Sequence, residues 1–278
     1  MSKGRICLTV TLTAALVVVA SAYGQSTDAF RWINPQHDAT LWGNIQDAFR
    51  GQLKPSHSDY GELYGYLKRV GIFENSALVI AAYKVGSDPK DGFEYASAFN
   101  YDTTTKSTSK IAGLEGMWFW KFTTVAQLEP SPAPDVVFTY DDCQGCEPDE
   151  ILTSLRYDSA ARQWQIRRWK GPKDWTTDTG LIVESAPEPD DPLISDDNLY
   201  GLIDLAGAGF DDVGLRSRWV RETASHHRQV NDLTLLYGAK NGVFVGRIVS
   251  DKAEQLKVWS KLCVNNTNKL CRDTSAPR

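Results

Sequence analysis

Apolar residues recur with helical spacing near the two ends of the chain. Segment 39–53 places its apolar residues on one helical face, and Asp38 precedes it as a candidate N-cap. A second short helix is predicted over 60–70, where Asp59 and Glu62 form a capping-box pair and Tyr60, Leu63, Tyr64 and Leu67 share a face. A last helix is predicted over Lys252–Leu262, capped by Asp251 with Glu254. These patterns predict a small helical cap at the N-terminus and one helix near the C-terminus.

Between these helices the pattern changes to short strands separated by turns. The segments 76–83, 93–101 and 117–122 are rich in β-branched and aromatic residues, and Trp118 and Trp120 are expected to share one face. Hairpin turns are predicted at Asp102-Thr103, Asp158-Ser159 and Asn241-Gly242. The body is therefore predicted to be mainly antiparallel β.

The first residues have the features of a secretory signal. Two basic residues precede an apolar run over 6–20, which ends in the small residues Ala20-Ser21-Ala22. The run is shorter than the roughly 20 residues that a membrane-spanning helix needs, so a retained anchor is the less favoured alternative. Cleavage after residue 22 predicts a secreted or periplasmic protein with no membrane association afterwards.

Composition and charge narrow the classes of partner. The 278 residues carry 30 basic and 35 acidic side chains, a net charge of −5, and the chain has nine Trp, eleven Tyr and ten Phe. Loss of the signal removes Lys3 and Arg5, which gives about −7. A nucleic-acid partner would require clustered Lys and Arg, so none is expected. No serine-hydrolase elbow, zinc-protease or phosphate-loop motif is present in the sequence.

These signals divide the chain into four parts. Residues 1–22 are the signal and 23–71 the helical cap. Residues 72–262 form a repeat-built β body, in which 184–198 is an acidic, proline-containing linker, and 263–278 form a disulfide loop and polar tail.

Four cysteines remain after cleavage, and they form two local pairs. Cys143 with Cys146 and Cys263 with Cys271 are the expected disulfides in an oxidising compartment. For the first pair, a redox motif and half of a metal site remain alternatives. The surrounding acids oppose the redox alternative, because like charge raises the pKa of a thiol.

Two segments of the body resemble each other. Residues 125–169 align with 202–248, so that Asp135 falls on Asp212. In the second copy, Asp204, Gly209 and Asp212 occupy the first, sixth and ninth positions of a pattern that resembles the FG-GAP/VCBS repeat, the blade of integrin-alpha-type β-propellers. The resemblance implies either a propeller-like body or, more coarsely, stacked antiparallel sheets. It also implies a calcium loop, but Ala206 and Ala208 replace two of its carboxylates, so a turn without the ion is expected.

A second cluster of acids surrounds the first cysteine pair. Asp141, Asp142 and Glu147 lie there with Asp149 and Glu150, and they are either a calcium site or a solvated acidic loop. No organic cofactor is expected, and calcium is left open as a bound ion.

Aromatic residues provide the candidate ligand contacts. Trp164, Trp169, Trp175 and Trp219 are predicted near loops of the body, where rings could stack on a sugar or a peptide side chain. The alternative is that they fill the space between sheets. The sequence therefore predicts a non-catalytic binding protein with a protein or carbohydrate ligand. A carbohydrate-active hydrolase using Asp/Glu pairs is the enzymatic alternative, and a calcium-stabilised adhesion module is a third.

Overall fold

The computed structural model describes residues 30–50, 56–58, 61–85, 93–114, 116–142, 149–184, 193–222 and 228–272. In chain order, its elements are β1 (Arg31–Trp32), α1 (Ala39–Phe49), β2 (Ser56–Ser58), β3 (Gly61–Phe73), β4 (Ser76–Val85), β5 (Phe93–Asp102), β6 (Thr108–Lys110), β7 (Met117–Ala126), β8 (Asp135–Asp141), β9 (Glu150–Asp158), β10 (Gln163–Ile166), β11 (Arg168–Lys170), a 3-10 turn (Lys173–Trp175), β12 (Leu181–Glu184), β13 (Leu193–Ile203), β14 (Asp212–Glu222), β15 (Arg228–Lys240), β16 (Val243–Ile248), α2 (Lys252–Leu262) and α3 (Lys269–Arg272). None of the helices within these ranges is long and apolar enough to cross a membrane.

Eleven of the described strands form one antiparallel sheet. Its main order is β1-β3-β4-β5-β7-β8-β9-β10, with β2 beside β3, β6 beside β5 and β12 beside β9. Both faces of β4 are apolar: Val79 and its alternate neighbours pack under Ile45 and Phe49 of α1, whereas Leu78 and Ile80 face the opposite way. A strand buried on both faces reads as a continuous apolar run, which is the pattern of residues 77–82.

The sheet coils around its second apolar face. Strand β10 returns to lie against β4 and β5. The side-chain amide of Asn100 on β5 accepts from the Trp164 backbone nitrogen at 2.7 Å and donates to its carbonyl at 2.9 Å. A buried amide that satisfies both backbone groups of one residue fixes the position of that strand. Trp164 therefore lies inside the coil, where it is 1% exposed.

A second sheet of five described strands, in the order β11-β16-β15-β14-β13, stacks on the outer face of β8, β9 and β12. Its inner face contributes Leu215, Leu235 and Tyr237 to a shared core. Its outer face is covered by α2 and α3. There Arg216 stacks 3.6 Å from the ring centre of Trp259 and pairs with Asp232, and its Nη1 donates to the Leu270 carbonyl.

A buried ionic group joins the two sheets. Arg167, which is fully buried, donates through Nε and Nη2 to Asp135 at 3.0 and 2.7 Å and through Nη1 to Glu129 at 2.9 Å. Glu129 also accepts from the backbone nitrogen of Gly242, in the β15–β16 turn. Burial raises the pKa of Asp135 to about 6, although Arg167 opposes that rise. Glu129 thus links the β15–β16 turn of the second sheet to Arg167 and Asp135 through charged hydrogen bonds.

Several local predictions are confirmed. Helix α2 has the predicted bounds, and the Asp251 carboxylate accepts from the Glu254 backbone nitrogen at 2.8 Å. Turns follow each of the three predicted hairpin sites, and the Asn241-Gly242 turn has positive φ at both residues. Cys263 and Cys271 form a disulfide.

The second predicted helix is wrong. Residues 61–73 form strand β3, which pairs with β4 from Leu63–Val85 to Phe73–Ser76. Gly61 and Gly65 weaken any helix there, and long pairing with a buried neighbour outweighs a local capping pattern. Gly71 is also required for packing, since a Cβ at that position would lie 2.5 Å from the Phe30 ring.

Two further expectations need correction. Trp118 and Trp120 do not share a face, because the β7–β8 register shifts between Trp118 and Lys121. Trp120 packs in the coil beside Phe138, whereas Trp118 lies with Tyr95 on the opposite face. Residues 193–198, expected in the exposed linker, belong to β13.

The two sequence-similar segments form comparable units. Strands β7–β10 and β13–β16 are each an antiparallel meander, and the two meanders stack face to face. Asp135 and Asp212 each begin the second strand of their meander. Within the described ranges the strands form stacked sheets, with neither a closed barrel nor a ring of blades.

Candidate functional site

A line of six side chains crosses the outer face of the first sheet. Consecutive members are register partners on β4, β5, β7, β8, β9 and β12. We call this line the aromatic–carboxylate row; it consists of Tyr83, Tyr95, Trp118, Asp141, Glu150 and Glu184. Directly opposed residues of antiparallel strands point to the same face, so three rings are followed by three carboxyl groups. Five strand spacings of about 4.8 Å give the row a length of about 24 Å.

The aromatic half of the row is a continuous series of ring contacts. The Tyr83 and Tyr95 ring centres are 5.2 Å apart at 17°, and those of Tyr95 and Trp118 are 5.1 Å apart at 56°. All three side chains are half-buried. Burial raises the pKa of both tyrosines, so they are neutral hydrogen-bonding phenols at physiological pH.

The carboxyl groups of the row have different surroundings. Burial raises the pKa of Asp141, and Glu150 and Asp142 raise it further, although Lys121 opposes them. Glu150 accepts from the Tyr200 hydroxyl of β13 at 3.3 Å and lies 3.8 Å from Lys121 Nζ. Tyr200 thus brings the second sheet to the row.

Two of the predicted tryptophans meet on the second sheet. The ring centres of Trp175 and Trp219 are 6.1 Å apart at 42°, and both side chains are half-buried. Ser217 lies two residues before Trp219 on the same strand face; it is fully buried, and its hydroxyl has no hydrogen-bond partner among the described residues. Tyr200, on the neighbouring strand, shares that face.

The other two predicted tryptophans are core residues. Trp164 packs in the coil against Phe30 and Tyr157, at 1% exposure. Trp169 is 3% exposed and lies between Tyr237 and Phe244 in the core that the two sheets share. Both rings therefore fill the core, as the alternative interpretation of these tryptophans predicts.

The two acids of the predicted calcium loop, Asp204 and Asp212, have different surroundings. Donation from the Gly209 backbone, and from Gly207 and Ala208, lowers the pKa of Asp204, whose carboxylate thereby closes its own loop. Burial raises the pKa of Asp212, and the charge of Asp204 adds to that rise. In the described part of the chain, no group of three or more His, Cys, Asp or Glu side chains could hold a metal ion.

The acidic cluster near the first cysteine pair is only partly described. Asp141 is a member of the row, and Asp142 follows it with a carboxylate that accepts from the Asp149 backbone nitrogen at 3.2 Å. Cys143, Cys146 and Glu147 lie outside the described residues, so their predicted roles stay predictions.

Comparison with known proteins gave no match: no family model fits the chain, and no curated protein or solved structure is significantly similar to it. The row and the tryptophan pair are therefore the features of this protein that bear on its function.

Sequence reasoning overlooked the aromatic half of the row. Tyr83, Tyr95 and Trp118 were included in strands but not in a site, because only the pairing of β4, β5 and β7 brings them together. The available signal is that each lies within two residues of the end of its strand.

Proposed function

We propose that this protein is a secreted or periplasmic, non-catalytic binding protein that takes an extended ligand along the aromatic–carboxylate row. The observation that carries the proposal is the row itself, in which three contacting, half-buried rings continue into three carboxyl groups at one level of the sheet. Aromatic rings with polar groups beside them are typical of surfaces that bind protein segments or glycans.

The location proposed here rests on two further features. The signal-like residues 1–22 direct the chain out of the cytoplasm, and the Cys263–Cys271 disulfide suits an oxidising compartment. FG-GAP-type propellers include adhesion modules and ligand receptors, so the resemblance of residues 202–248 to that repeat also supports a binding role.

The test is a binding screen with variants of the row. The mature protein is applied to arrays of glycans and of peptides, and each binder is then measured with Trp118→Ala and Tyr95→Ala. Trp42→Ala is the matched control, because Trp42 is also a half-buried aromatic residue but lies on α1. We expect both row variants to weaken binding at least about tenfold, since interface aromatics often contribute about 1–2 kcal/mol or more.

Trp175→Ala and Trp219→Ala measure whether the tryptophan pair belongs to the same surface. Equal affinity of the row variants and the wild type for every binder would refute the proposal.

One observation favours the hydrolase alternative. Asp141 and Glu150 are register partners on β8 and β9, which places their Cβ atoms roughly 5 Å apart. The raised pKa of Asp141 suits a general acid, and the Tyr200 and Lys121 contacts suit Glu150 as a carboxylate nucleophile or base. Hydrolysis of chromogenic glycosides, abolished separately by Asp141→Asn and Glu150→Gln, would establish this activity. Absence of turnover across a broad glycoside panel would leave binding as the function.

A further inference from the structure

Two acidic stretches of the sequence begin at carboxylates of the row. Residues 141–150 contain five acidic and no basic side chains, and Asp141 and Glu150 of the row are the two ends of this stretch. Residues 184–198 contain six acidic and no basic side chains and begin at Glu184. Both acidic stretches thus start from the same level of the sheet.

Among the described residues, Lys121 lies beside the Glu150 carboxylate of the row, and Lys269 pairs with Asp197 of the second acidic stretch. Lys121 Nζ is 3.8 Å from Glu150, and the Lys121 side chain is 65% exposed. The Glu150 side chain is only 13% exposed, but at 3.8 Å the Lys121 ammonium is beyond hydrogen-bond distance and lies mostly in water, so a cation that hydrogen-bonds to Glu150 can displace it. The surface therefore favours a positively charged ligand over a neutral one.

The ring geometry supports the same choice. Tyr83 and Tyr95 stack on each other at 17°, so each covers a face of the other, whereas Trp118 is tilted by 56° from Tyr95. A glycan that stacks along the row would need several uncovered ring faces. An ammonium or guanidinium group needs only one ring and a nearby carboxylate, and the half-buried Trp118 with its register partner Asp141 offers that combination.

We infer that the ligand of the row is a basic polypeptide segment, whose Lys or Arg side chains lie over Trp118 and pair with Asp141 and Glu150. This inference rests on the proposed binding function of the row. An extended peptide of about seven residues matches the row's length at about 3.4 Å per residue. The acidic stretches would also accelerate the approach of such a segment, because complementary charge raises association rates at low salt.

The experiment uses the mature protein and labelled nine-residue peptides, measured by fluorescence anisotropy at low and high salt. The probes are oligo-Arg, oligo-Lys and a neutral Gly/Ser peptide, with neutral oligosaccharides in a parallel calorimetric assay. Trp118→Ala and Asp141→Asn should each weaken binding of the basic peptides by about threefold to tenfold, which is the range of one exposed cation–π or ionic contact. Binding should weaken further at high salt.

Two variants separate a built site from general charge attraction. Lys121→Met should strengthen binding of the basic peptides about twofold to fivefold, because it removes the cation that competes for Glu150. Asp47→Asn, on α1, makes the same charge change as Asp141→Asn at a position that is paired with Arg50 and is 64% exposed. It should leave affinity unchanged. Thermal unfolding of each variant checks that its fold is retained.

The outcomes distinguish the inference from the function on which it rests. If Asp47→Asn weakens peptide binding as much as Asp141→Asn, the attraction is non-specific and the inference fails. If Trp118→Ala weakens the binding of a neutral oligosaccharide but of no basic peptide, the row is a binding site and the inference about its ligand fails. If no ligand responds to any row variant, both the inference and the proposed function fail.

Discussion

Replacement of Arg167 by Met tests the ionic link between the two sheets. Arg167 is fully buried and makes two hydrogen bonds to Asp135, which is 1% exposed, and one to Glu129. Met keeps much of the side-chain volume but removes the charge. The Asp135 carboxylate would then be buried with no cation in contact, whereas Glu129 would keep its bond from the Gly242 backbone nitrogen.

We expect Arg167→Met to lower the free energy of unfolding by about 3–5 kcal/mol at pH 8, the range measured when one partner of a buried ion pair is removed. The sign of its pH dependence follows from Asp135. Its pKa in the folded protein is about 6, above the value of about 3.8 in the unfolded chain, so its ionisation lowers stability as pH rises through that range. Without Arg167 the folded pKa rises further, because burial then acts without the opposing charge. The loss should therefore be smaller at pH 5 than at pH 8.

Chemical unfolding at 25 °C, followed by tryptophan fluorescence at pH 5 and pH 8, measures both quantities. Arg167→Met combined with Asp135→Asn is the control, since it removes the carboxylate together with its partner. We expect the double variant to recover part of the stability at pH 8 and to lose the pH dependence. A loss under 1 kcal/mol, or a single variant less stable at pH 5 than at pH 8, would contradict the reasoning.

Three further changes test the packing in other regions. Gly246→Ala places a Cβ 2.0 Å from the buried Tyr237 ring, and we expect a loss of about 1–3 kcal/mol or more by thermal unfolding. Gly43 lies inside α1, and a Cβ added there would have no atom within 4 Å, so Gly43→Ala should stabilise the protein by about 0.5–1 kcal/mol in the same measurement. A lower melting temperature would show that the helix does not accommodate the added Cβ. Replacing both Cys263 and Cys271 by Ala should cost about 2–3 kcal/mol in chemical unfolding, and no change would mean that α3 is held without the disulfide.

The parts of the fold that depend on local chemistry were predictable from the sequence. Asp251 and Glu254 specify the start of α2, and Asn241-Gly242 specifies a tight turn through residues that adopt positive φ easily. The Cys263–Cys271 pairing followed from short separation in the chain. In each case the residues that determine the feature are close together in sequence.

Predictions failed where partners distant in sequence decide the conformation. Segment 60–70 has a helical pattern and a capping pair, yet its described residues 61–70 form a strand, because β2 pairs with them from Gly61 to Leu63 and β4 pairs with them from Leu63 onwards. Coiling of the first sheet likewise depends on Asn100 and Trp164, which are 64 positions apart. Neither contact can be recognised from the sequence of one segment alone.

The candidate site also depends on a feature that the sequence does not show, the register shift within β7. Strict alternation on β7 would place Trp118 and Trp120 on one face, and both rings would then enter the same core. The register shift between Trp118 and Lys121 instead turns Trp120 into the coil and leaves Trp118 between Tyr95 and Asp141. A β-bulge re-aims a side chain without changing the composition of the strand, so the sequence alone could identify the rings but not the row that they form. The aromatic–carboxylate row thus arises from the pairing of six strands, which brings Asp141, Glu150 and Glu184 together although Glu184 is more than 30 positions from the other two in the sequence.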